Sequence, residues 1–219
     1  MTIMSRVVLG YFLIITGVLL GSYHLFEWHI GRSAAEEMTR EELSAIKRET
    51  APPLNLKAEE EVIPDTMNMK PKASGPKATP QSAANFSKGE KVAYLMIPKL
   101  NRKYSVYWGT DERTLKKGVG MFSSKLTTPP DGGGHTVLSG HRDTVFYGLD
   151  ELKDGDLLTI SFNNSIYTYK INKIFITDPD DRSVIVKKDS PTLTLTTCYP
   201  FNYVGSAPER YIIQAELLN

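Results

Sequence analysis

The sequence predicts an all-β folded domain in the C-terminal part of the chain, preceded by a membrane-spanning helix and a linker. Three observations support this: an uncharged run near the N-terminus, a proline-rich middle without aromatic residues, and a series of short β-type runs that follow it. The predicted boundaries are 1–6 for a cytoplasmic tail, 7–26 for a transmembrane anchor, 27–90 for a stalk and linker, and 91–219 for the folded domain.

Composition excludes several classes of function. The 219 residues carry 26 Lys and Arg against 25 Asp and Glu, a formal net charge of +1. A near-neutral chain lacks the basic surface that nucleic-acid binding requires, so no nucleic-acid partner is expected. Cys198 is the single cysteine, which excludes an internal disulfide and a multi-cysteine zinc site.

The uncharged run at 7–26 is long enough to cross a bilayer. It reads VVLGYFLIITGVLLGSYHLF, and twenty helical residues span about 30 Å. A cleaved signal peptide has a shorter apolar core and an A-x-A-like cleavage site, so an uncleaved anchor is favoured. Arg6 precedes the run and Glu27 follows it. The positive-inside rule therefore predicts a single-pass protein of the cell membrane with an extracellular domain.

The stalk has two parts. Residues 33–49 are rich in helix formers, and Ser33 with Glu36 makes an S-x-x-E capping box, which predicts a solvated helix with a thin apolar stripe. Residues 51–85 hold six of the thirteen prolines and no aromatic residue, as is typical of a linker. Such a linker has a reach of roughly 35 Å and would hold the domain off the membrane. It is either a tether through a surface layer or a spacer without a sequence-specific role.

The folded domain is predicted from its short strands. Asn163-Asn164 has the composition of a hairpin turn, and Thr110 is a candidate cap for a short helix at 111–117. Short strands separated by turn signals predict a small barrel or sandwich. The candidate strands are 92–97, 104–108, 135–139, 157–162, 166–176, 184–186, 192–198 and 210–217.

Cys198 ends a run with strand alternation. Leu193, Leu195 and Thr197 share the face that the leucines direct to the core, so Cys198 points away from it. A structural cysteine is usually a buried hydrophobe, and this placement favours a chemical role instead. Zinc binding by Cys198 with two histidines is not expected, because a fourth ligand and a familiar spacing are missing.

A cysteine nucleophile needs a base or a cationic neighbour. His141 lies in a loop just past the strand that His135 begins, which makes His141 the better candidate. Arg210 opens the last strand on its non-core face and is a candidate donor for a developing oxyanion. Sequential strands often pair, which would bring Arg210 and Cys198 into one groove. No histidine follows Cys198, which excludes a papain-like arrangement.

These residues carry a family resemblance. TLTTC at 194–198, with an arginine twelve positions later, resembles the TLxTC…R signature of sortases, and HRD at 141–143 is similar to their catalytic histidine region. The stretch TLTTCYPFNYVGSAPERYIIQAEL most resembles the class D sortases of Gram-positive bacteria. The resemblance implies a sortase-type eight-stranded β-barrel and a membrane-anchored cysteine transpeptidase.

It also implies roles and partners. Cys198 would attack the Thr–Gly or Thr–Ala bond of an LPxTG-like sorting signal and form a thioester, His141 would protonate the leaving amine, and Arg210 would hydrogen-bond the oxyanion or a substrate carbonyl. The expected partners are secreted proteins bearing the sorting signal and an amine of a peptidoglycan precursor. A hydrolase with the same residues and a non-catalytic surface β-domain that binds protein or glycan are the alternatives.

Two further expectations concern the groove and cofactors. Candidate substrate-binding residues are Thr197, Tyr199, Pro200 and Phe201. The apolar residues that follow Cys198 in the loop, Tyr199, Pro200, Phe201, Tyr203 and Val204, could line the groove or could equally be ordinary loop packing. Some class A sortases bind calcium through loop carboxylates, and Asp178, Asp180 and Asp181 form a loop of that composition. A solvated acidic turn is favoured here, so no cofactor or metal is expected.

Overall fold

The computed structural model describes residues 3–33, 35–50, 86–203 and 205–218. The predicted linker at 51–85 lies outside the described residues. The N-terminal elements are helix α1 (Ile3–Ser33), strand β1 (Ala35–Glu37) and helix α2 (Arg40–Thr50). The folded domain contains the short helix α3 (Glu112–Leu115) and the strands β2 (Lys91–Ile97), β3 (Arg102–Trp108), β4 (Val119–Met121), β5 (His135–Ser139), β6 (Leu157–Phe162), β7 (Ser165–Thr177), β8 (Thr192–Tyr199) and β9 (Glu209–Leu217).

The strands of the folded domain close into a barrel. Among the described residues the strand order is β3-β2-β6-β7-β9-β8-β5-β4, and β4 pairs back with β3. The β3–β4 and β5–β8 pairs are parallel, and the other neighbours are antiparallel. The predicted eight-stranded all-β barrel is confirmed, and the sandwich alternative is excluded because closure leaves one continuous sheet.

Within the folded domain, one predicted strand is missing and one observed strand was not predicted. The run 184–186 forms no strand; the carbonyl of Val186 instead accepts a hydrogen bond from the side chain of His135. Strand β4 was not predicted, because three residues are too few to show alternation. The turn at Asn163-Asn164 is confirmed: both residues have positive φ, 49° and 59°, and Phe162 faces Ser165 across the hairpin.

Helix α3 is shorter than predicted and begins one residue later. Its cap is Asp111 rather than Thr110, since the Asp111 carboxylate accepts hydrogen bonds from the Thr114 backbone N–H at 3.4 Å and from its hydroxyl at 2.6 Å. An aspartate competes well with a threonine for this position.

The barrel interior is fully buried. Leu193 and Leu195 of β8 have no exposed surface, as their alternation predicts, and they join a core that includes Tyr104, Ile160 and Ile213. Thr192 and Thr194, on the opposite face of β8, are also buried, whereas Thr196 and Cys198 are partly exposed. The outer face of β8 is therefore covered at its start and open at its end.

The segment that precedes the linker corrects the prediction of a single solvated helix at 33–49. Helix α1 continues through Ser33, and the chain then forms β1 before a new helix starts at Arg40. Thr39 and Glu42 make the capping box that begins α2: the Thr39 N–H donates to the Glu42 carboxylate at 2.9 Å, and the Glu42 N–H donates to the Thr39 hydroxyl at 3.2 Å. This T-x-x-E box sits six residues beyond the S-x-x-E match and sets the true helix start.

The thin apolar stripe of α2 is packed and not solvated. Met38 and Ile46 are each only 5% exposed and contact Met96 of β2. The Lys103 ammonium lies 2.7 Å from the Glu42 carboxylate, and its hydrogen bond is the main reason that the pKa of Glu42 falls below its ordinary value. The segment is thus part of the folded domain's surface.

Helix α1 carries the uncharged run. Val7–Phe26 has a mean hydropathy of 1.7 and none of it is buried against the protein, so its length and composition suit a membrane span.

Candidate active site

Strands β8 and β9 place Arg210 directly opposite Cys198. The two residues are Cα partners in the antiparallel register, followed by Tyr199 opposite Glu209. Residues opposite each other in such a pair project to the same side of the sheet. Both are partly exposed, and the Arg210 guanidinium donates within the protein to the Glu209 carbonyl at 3.1 Å.

The parallel pairing of β5 with β8 brings the histidine loop to the same end. Ser139 is the register partner of Thr196, and the Gly140 N–H donates to the Thr196 carbonyl at 3.3 Å. His141 follows Gly140 in the loop that leaves β5 at this end. The Phe146 N–H closes the loop by donating to the His141 carbonyl at 2.9 Å. The end of β8 that carries Cys198 is therefore paired with Arg210 of β9 on one side and hydrogen-bonded to the start of the His141 loop on the other.

Gly140 lets the histidine loop approach the core closely. A Cβ at this position would lie 2.8 Å from the ring of Phe146, a residue with no exposed surface that packs edge-on to Tyr104 at 6.2 Å between ring centroids. Any side chain at this position would push the ring or the loop aside. The lack of a side chain at Gly140 thus allows the His141 loop to leave β5 close to the ring of Phe146.

Thr197 holds a different place from the substrate contact expected of it. It is 3% exposed, and its hydroxyl donates to the Gly140 carbonyl at 2.7 Å. Its hydroxyl is therefore engaged with the backbone and joins β8 to the histidine loop. The alternation that directs Leu193 and Leu195 inward directs Thr197 inward too.

Tyr199 and Phe201 pack against the neighbouring strand. Tyr199 stacks on Tyr211 with ring centroids 6.1 Å apart, and Phe201 meets Tyr211 edge-on at 5.1 Å. Partial burial, with a smaller contribution from the negative charge of Asp150, raises the pKa of Tyr211. Both aromatic side chains are therefore engaged in packing. The parts of this cluster that stay open to a ligand are their outer surfaces and half-buried Pro200.

Arg142 is a residue of the site that sequence reasoning missed. It is 9% exposed, and its guanidinium donates to the carbonyls of Tyr203 at 2.5 Å and Gly205 at 3.1 Å. It also lies over the Tyr203 ring, 5.7 Å from the centroid. Arg142 thereby fastens the loop that follows Cys198 to the loop that carries His141. Its position next to His141 was the available signal, but a loop arginine is ordinarily interpreted as a solvated charge.

His135 lies at the far end of β5 and is structural. It is 1% exposed, with Nδ1 2.7 Å from the Val186 carbonyl and Nε2 2.8 Å from the Thr194 hydroxyl. A carbonyl only accepts, so Nδ1 carries the hydrogen and the hydroxyl donates to Nε2. Burial lowers the pKa of His135, and the positive charge of Lys188 adds to this. His135 therefore packs as a neutral imidazole, as its position at the strand start favoured.

The acidic loop at 178–181 is tied up in local turns. Asp181 accepts hydrogen bonds from the Thr177 hydroxyl at 2.5 Å and the Ser183 N–H at 2.9 Å, and Asp178 accepts from the Asp180 N–H at 2.8 Å. Within the described residues no group of three or more His, Cys, Asp or Glu side chains is arranged to hold a metal ion. The geometry of these aspartates is that of a solvated acidic turn.

A partly exposed thiol opposite an arginine, on a strand whose end is hydrogen-bonded to a histidine loop, is an arrangement suited to cysteine-centred acyl transfer. Comparison with known proteins supplies the family. Residues 95–218 match the model described as the sortase domain, which is more than half of the chain. The chain therefore belongs to the sortase family and is a cysteine transpeptidase.

The chain is similar to sortases of types D and C. The chain is 44% identical to Sortase D of Bacillus subtilis (strain 168) over 147 residues, which cover 64% of this chain and 73% of that protein. It is 63% identical to the catalytic domain of B. anthracis SrtD, with a TM-score of 0.55 over 62% of this chain and 92% of that one. Clostridium perfringens sortase C, solved with the C-terminal cell wall sorting motif, is 34% identical, with a TM-score of 0.55 over 62% of this chain and 74% of that one.

Proposed function

We propose that this sortase is a membrane-anchored transpeptidase that cleaves an LPxTG- or LPxTA-like sorting signal after threonine and transfers the protein to an amine of a peptidoglycan precursor. Cys198 is the nucleophile, His141 the general acid and base, and Arg210 the oxyanion donor. The observation that carries this assignment is the register of β8 and β9, which sets Cys198 opposite Arg210 at the end of β8 that the His141 loop also reaches.

In the first half of the reaction, Sγ of Cys198 attacks the carbonyl carbon of the scissile threonine. The thiol proton passes to the His141 imidazole, and negative charge develops on the carbonyl oxygen, where the Arg210 guanidinium donates hydrogen bonds. His141 then gives its proton to the leaving amine as the C–N bond breaks. The product is a thioester on Cys198 and a free C-terminal fragment.

In the second half, the amine of the precursor attacks the thioester carbon. His141 accepts the proton that the amine loses and returns it to the departing sulfur, which restores the enzyme. A thioester reacts readily with amines, so transfer competes with hydrolysis when the groove excludes water. The partial exposure of Thr196 and Cys198 on the outer face of β8 supports a substrate groove at this end of the strand.

The partners follow from the same proposal. The related Clostridium perfringens sortase C was solved with the C-terminal cell wall sorting motif, which supports secreted proteins with an LPxTG-like signal as one substrate. The half-buried Pro200 and the outer surfaces of Tyr199 and Phe201 are the candidate contacts for its apolar residues. The Val7–Phe26 helix supports a single membrane span with the barrel outside the cell.

The test uses the full chain in detergent with peptides that carry LPxTG or LPxTA, with and without an added amine. Mass spectrometry should find cleavage after threonine, and a peptide–amine conjugate when the amine is present. Cys198→Ala should abolish both products, and Cys198→Ser, which keeps the size but weakens the nucleophile, should do nearly the same.

Each outcome has a separate meaning. Cleavage that persists in Cys198→Ala rejects the assigned nucleophile. Cleavage by the wild type that gives only the free acid, whatever amine is offered, identifies a hydrolase instead of a transpeptidase. Binding of the peptides without any product would return the chain to the class of non-catalytic surface domains.

A further inference from the structure

The barrel has an open strand edge that the N-terminal segment fills. Strand β4 pairs with β3 only through Val106, Tyr107 and Trp108. The first half of the same edge is taken by β1, whose register runs from Ala35 opposite Tyr104 to Glu37 opposite Arg102. An unpaired strand edge leaves N–H and C=O groups without partners, so β1 completes a hydrogen-bonding surface that the barrel presents.

Side chains extend this contact beyond the three-residue strand. Met38 and Ile46 are buried against Met96, with Leu43 and Leu157 packed around them. The Lys103–Glu42 ion pair at 2.7 Å is partly shielded, since the two side chains are 21% and 29% exposed. The Met38 N–H also donates to the Asn101 carbonyl at 3.3 Å. Residues 35–46 therefore hold the barrel by a strand, an apolar cluster and an ion pair.

The path of the chain gives this contact a consequence. Helix α1 ends at Ser33 and β1 begins at Ala35, so a single residue separates the helix from the docked segment. The apolar run ends at Phe26, and seven helical residues rise about 10 Å. At the C-terminal end of the docked segment, α2 ends at Thr50. The chain is described again from Phe86, whose ring packs on Trp108 at 5.3 Å and on Phe162 at 5.9 Å between ring centroids.

We infer that the docked segment 35–46, and not the linker at 51–85, sets the distance between the catalytic barrel and the membrane. The described elements on both sides of the linker pack on the barrel, α2 through Ile46 and the returning chain through Phe86, so the length of the linker does not enter that distance while the segment is docked. The inference rests on the membrane anchoring proposed above. With the segment docked, the barrel lies about 10 Å from the bilayer, the rise of the short helical extension beyond Phe26. A flexible tether of 35 to 40 residues would instead allow roughly 35 Å. The enzyme would then act on sorting signals presented close to the membrane surface.

The test measures energy transfer between the barrel and the bilayer in proteoliposomes of the full chain. Cys198→Ala removes the native thiol, and Asp154→Cys adds a labelling site at an exposed position in the turn before β6; the acceptor is a lipid-linked dye. The same twelve-residue Gly-Ser insertion is placed at position 34 in one variant and after residue 70 in another. Such an insertion adds a reach of about 20 Å.

The insertion at position 34 should lower the transfer efficiency clearly, and the insertion after residue 70 should leave it unchanged. If the linker were the tether, both insertions would lower the efficiency by similar amounts, and the inference would be wrong.

A variant that releases segment 35–46 from the barrel gives an independent test. Met38→Asp combined with Ile46→Asp places two carboxylates in the apolar cluster and should release the segment, so that transfer falls and becomes sensitive to the insertion after residue 70. Ala45→Asp, at an exposed position on α2, is the matched control and should behave as the parent. If the double variant loses the barrel fold by circular dichroism, the pair of insertions still decides the question.

Failure of this inference is distinguishable from failure of the proposed anchoring. Flotation with liposomes is measured first: a chain that does not float with lipid rejects the membrane anchor. A chain that floats, yet responds equally to both insertions, retains the anchor and rejects the docked segment as the spacer.

Discussion

The Thr197 hydroxyl donates to the carbonyl of Gly140 at 2.7 Å across 57 residues of sequence. Thr197 immediately precedes Cys198, the proposed nucleophile, and Gly140 immediately precedes His141, the proposed acid and base. One buried hydrogen bond therefore connects the two residues that precede them. A small displacement at this bond would move the thiol relative to the imidazole.

Thr197→Val removes this bond with little change in shape. The Gly140 carbonyl would lose its side-chain partner in a buried site, so the free energy of unfolding should fall by about 1–3 kcal/mol. The kcat for peptide cleavage should fall as well, because the histidine loop loses its connection to β8. Thr197→Ser keeps the hydroxyl and is the matched control; equal losses of kcat in both variants would contradict the role of the bond. Urea denaturation and steady-state kinetics supply the two measurements.

Arg210→Met should reduce catalysis without unfolding the barrel. Removing an oxyanion donor typically lowers kcat by about 100- to 1,000-fold, and methionine keeps much of the aliphatic length. Because Arg210 is partly exposed, the free energy of unfolding should change by no more than about 0.5 kcal/mol. Arg210→Lys, which keeps the charge but loses the planar fork, should fall between the wild type and Arg210→Met. A loss of kcat below tenfold in Arg210→Met would remove Arg210 from the oxyanion role.

Arg142→Met should loosen the loop after Cys198. The loop carbonyls of Tyr203 and Gly205 would lose their donor, so amide hydrogen exchange over 201–208 should become faster and KM for the sorting peptide should rise. Arg142→Lys offers one ammonium in place of two forked donors and should recover part of the protection. If exchange in this loop is unchanged in Arg142→Met, the hydrogen bonds do not hold the loop in solution.

His135 should make the barrel less stable in mild acid. Its folded pKa lies below the ordinary value because the side chain is buried, so between the two values the unfolded chain binds more protons than the folded one. Stability from this group is complete above about pH 6.5, declines as the pH falls below that value, and stops declining below the folded pKa.

Unfolding by urea, measured from pH 7.5 to pH 5 for the wild type and His135→Gln, tests this. The stability advantage of the wild type should shrink as the pH decreases, since glutamine does not titrate. Parallel curves for the two proteins would show that His135 contributes no pH dependence.

The barrel could be predicted because its signals are local. Alternation in β8 placed Leu195 inside and Cys198 outside, and Asn163-Asn164 supplied the positive φ values that a tight hairpin needs. Pairing of the last two strands followed from their adjacency in sequence, and it brought Arg210 opposite Cys198. The interior and the three central site residues thus depend on patterns of a few residues.

The remaining features depend on contacts that are distant in sequence. Nothing near Arg142 indicates that its guanidinium meets carbonyls more than sixty residues later. The start of α2 was misplaced because two capping boxes lie within ten residues, and docking of β1 and Met38 on the barrel decides between them. Thr197 was expected in the groove because it neighbours Cys198, although its strand face directs it inward.

The parallel pairing of β5 with β8 also governs when the chain can become reactive. Their partners, such as His135 and Thr192, are more than fifty residues apart, and contacts of that separation form late because a long loop must close first. The proposed catalytic residues would therefore come together only when the barrel is complete, so a partly folded chain should have no transpeptidase activity.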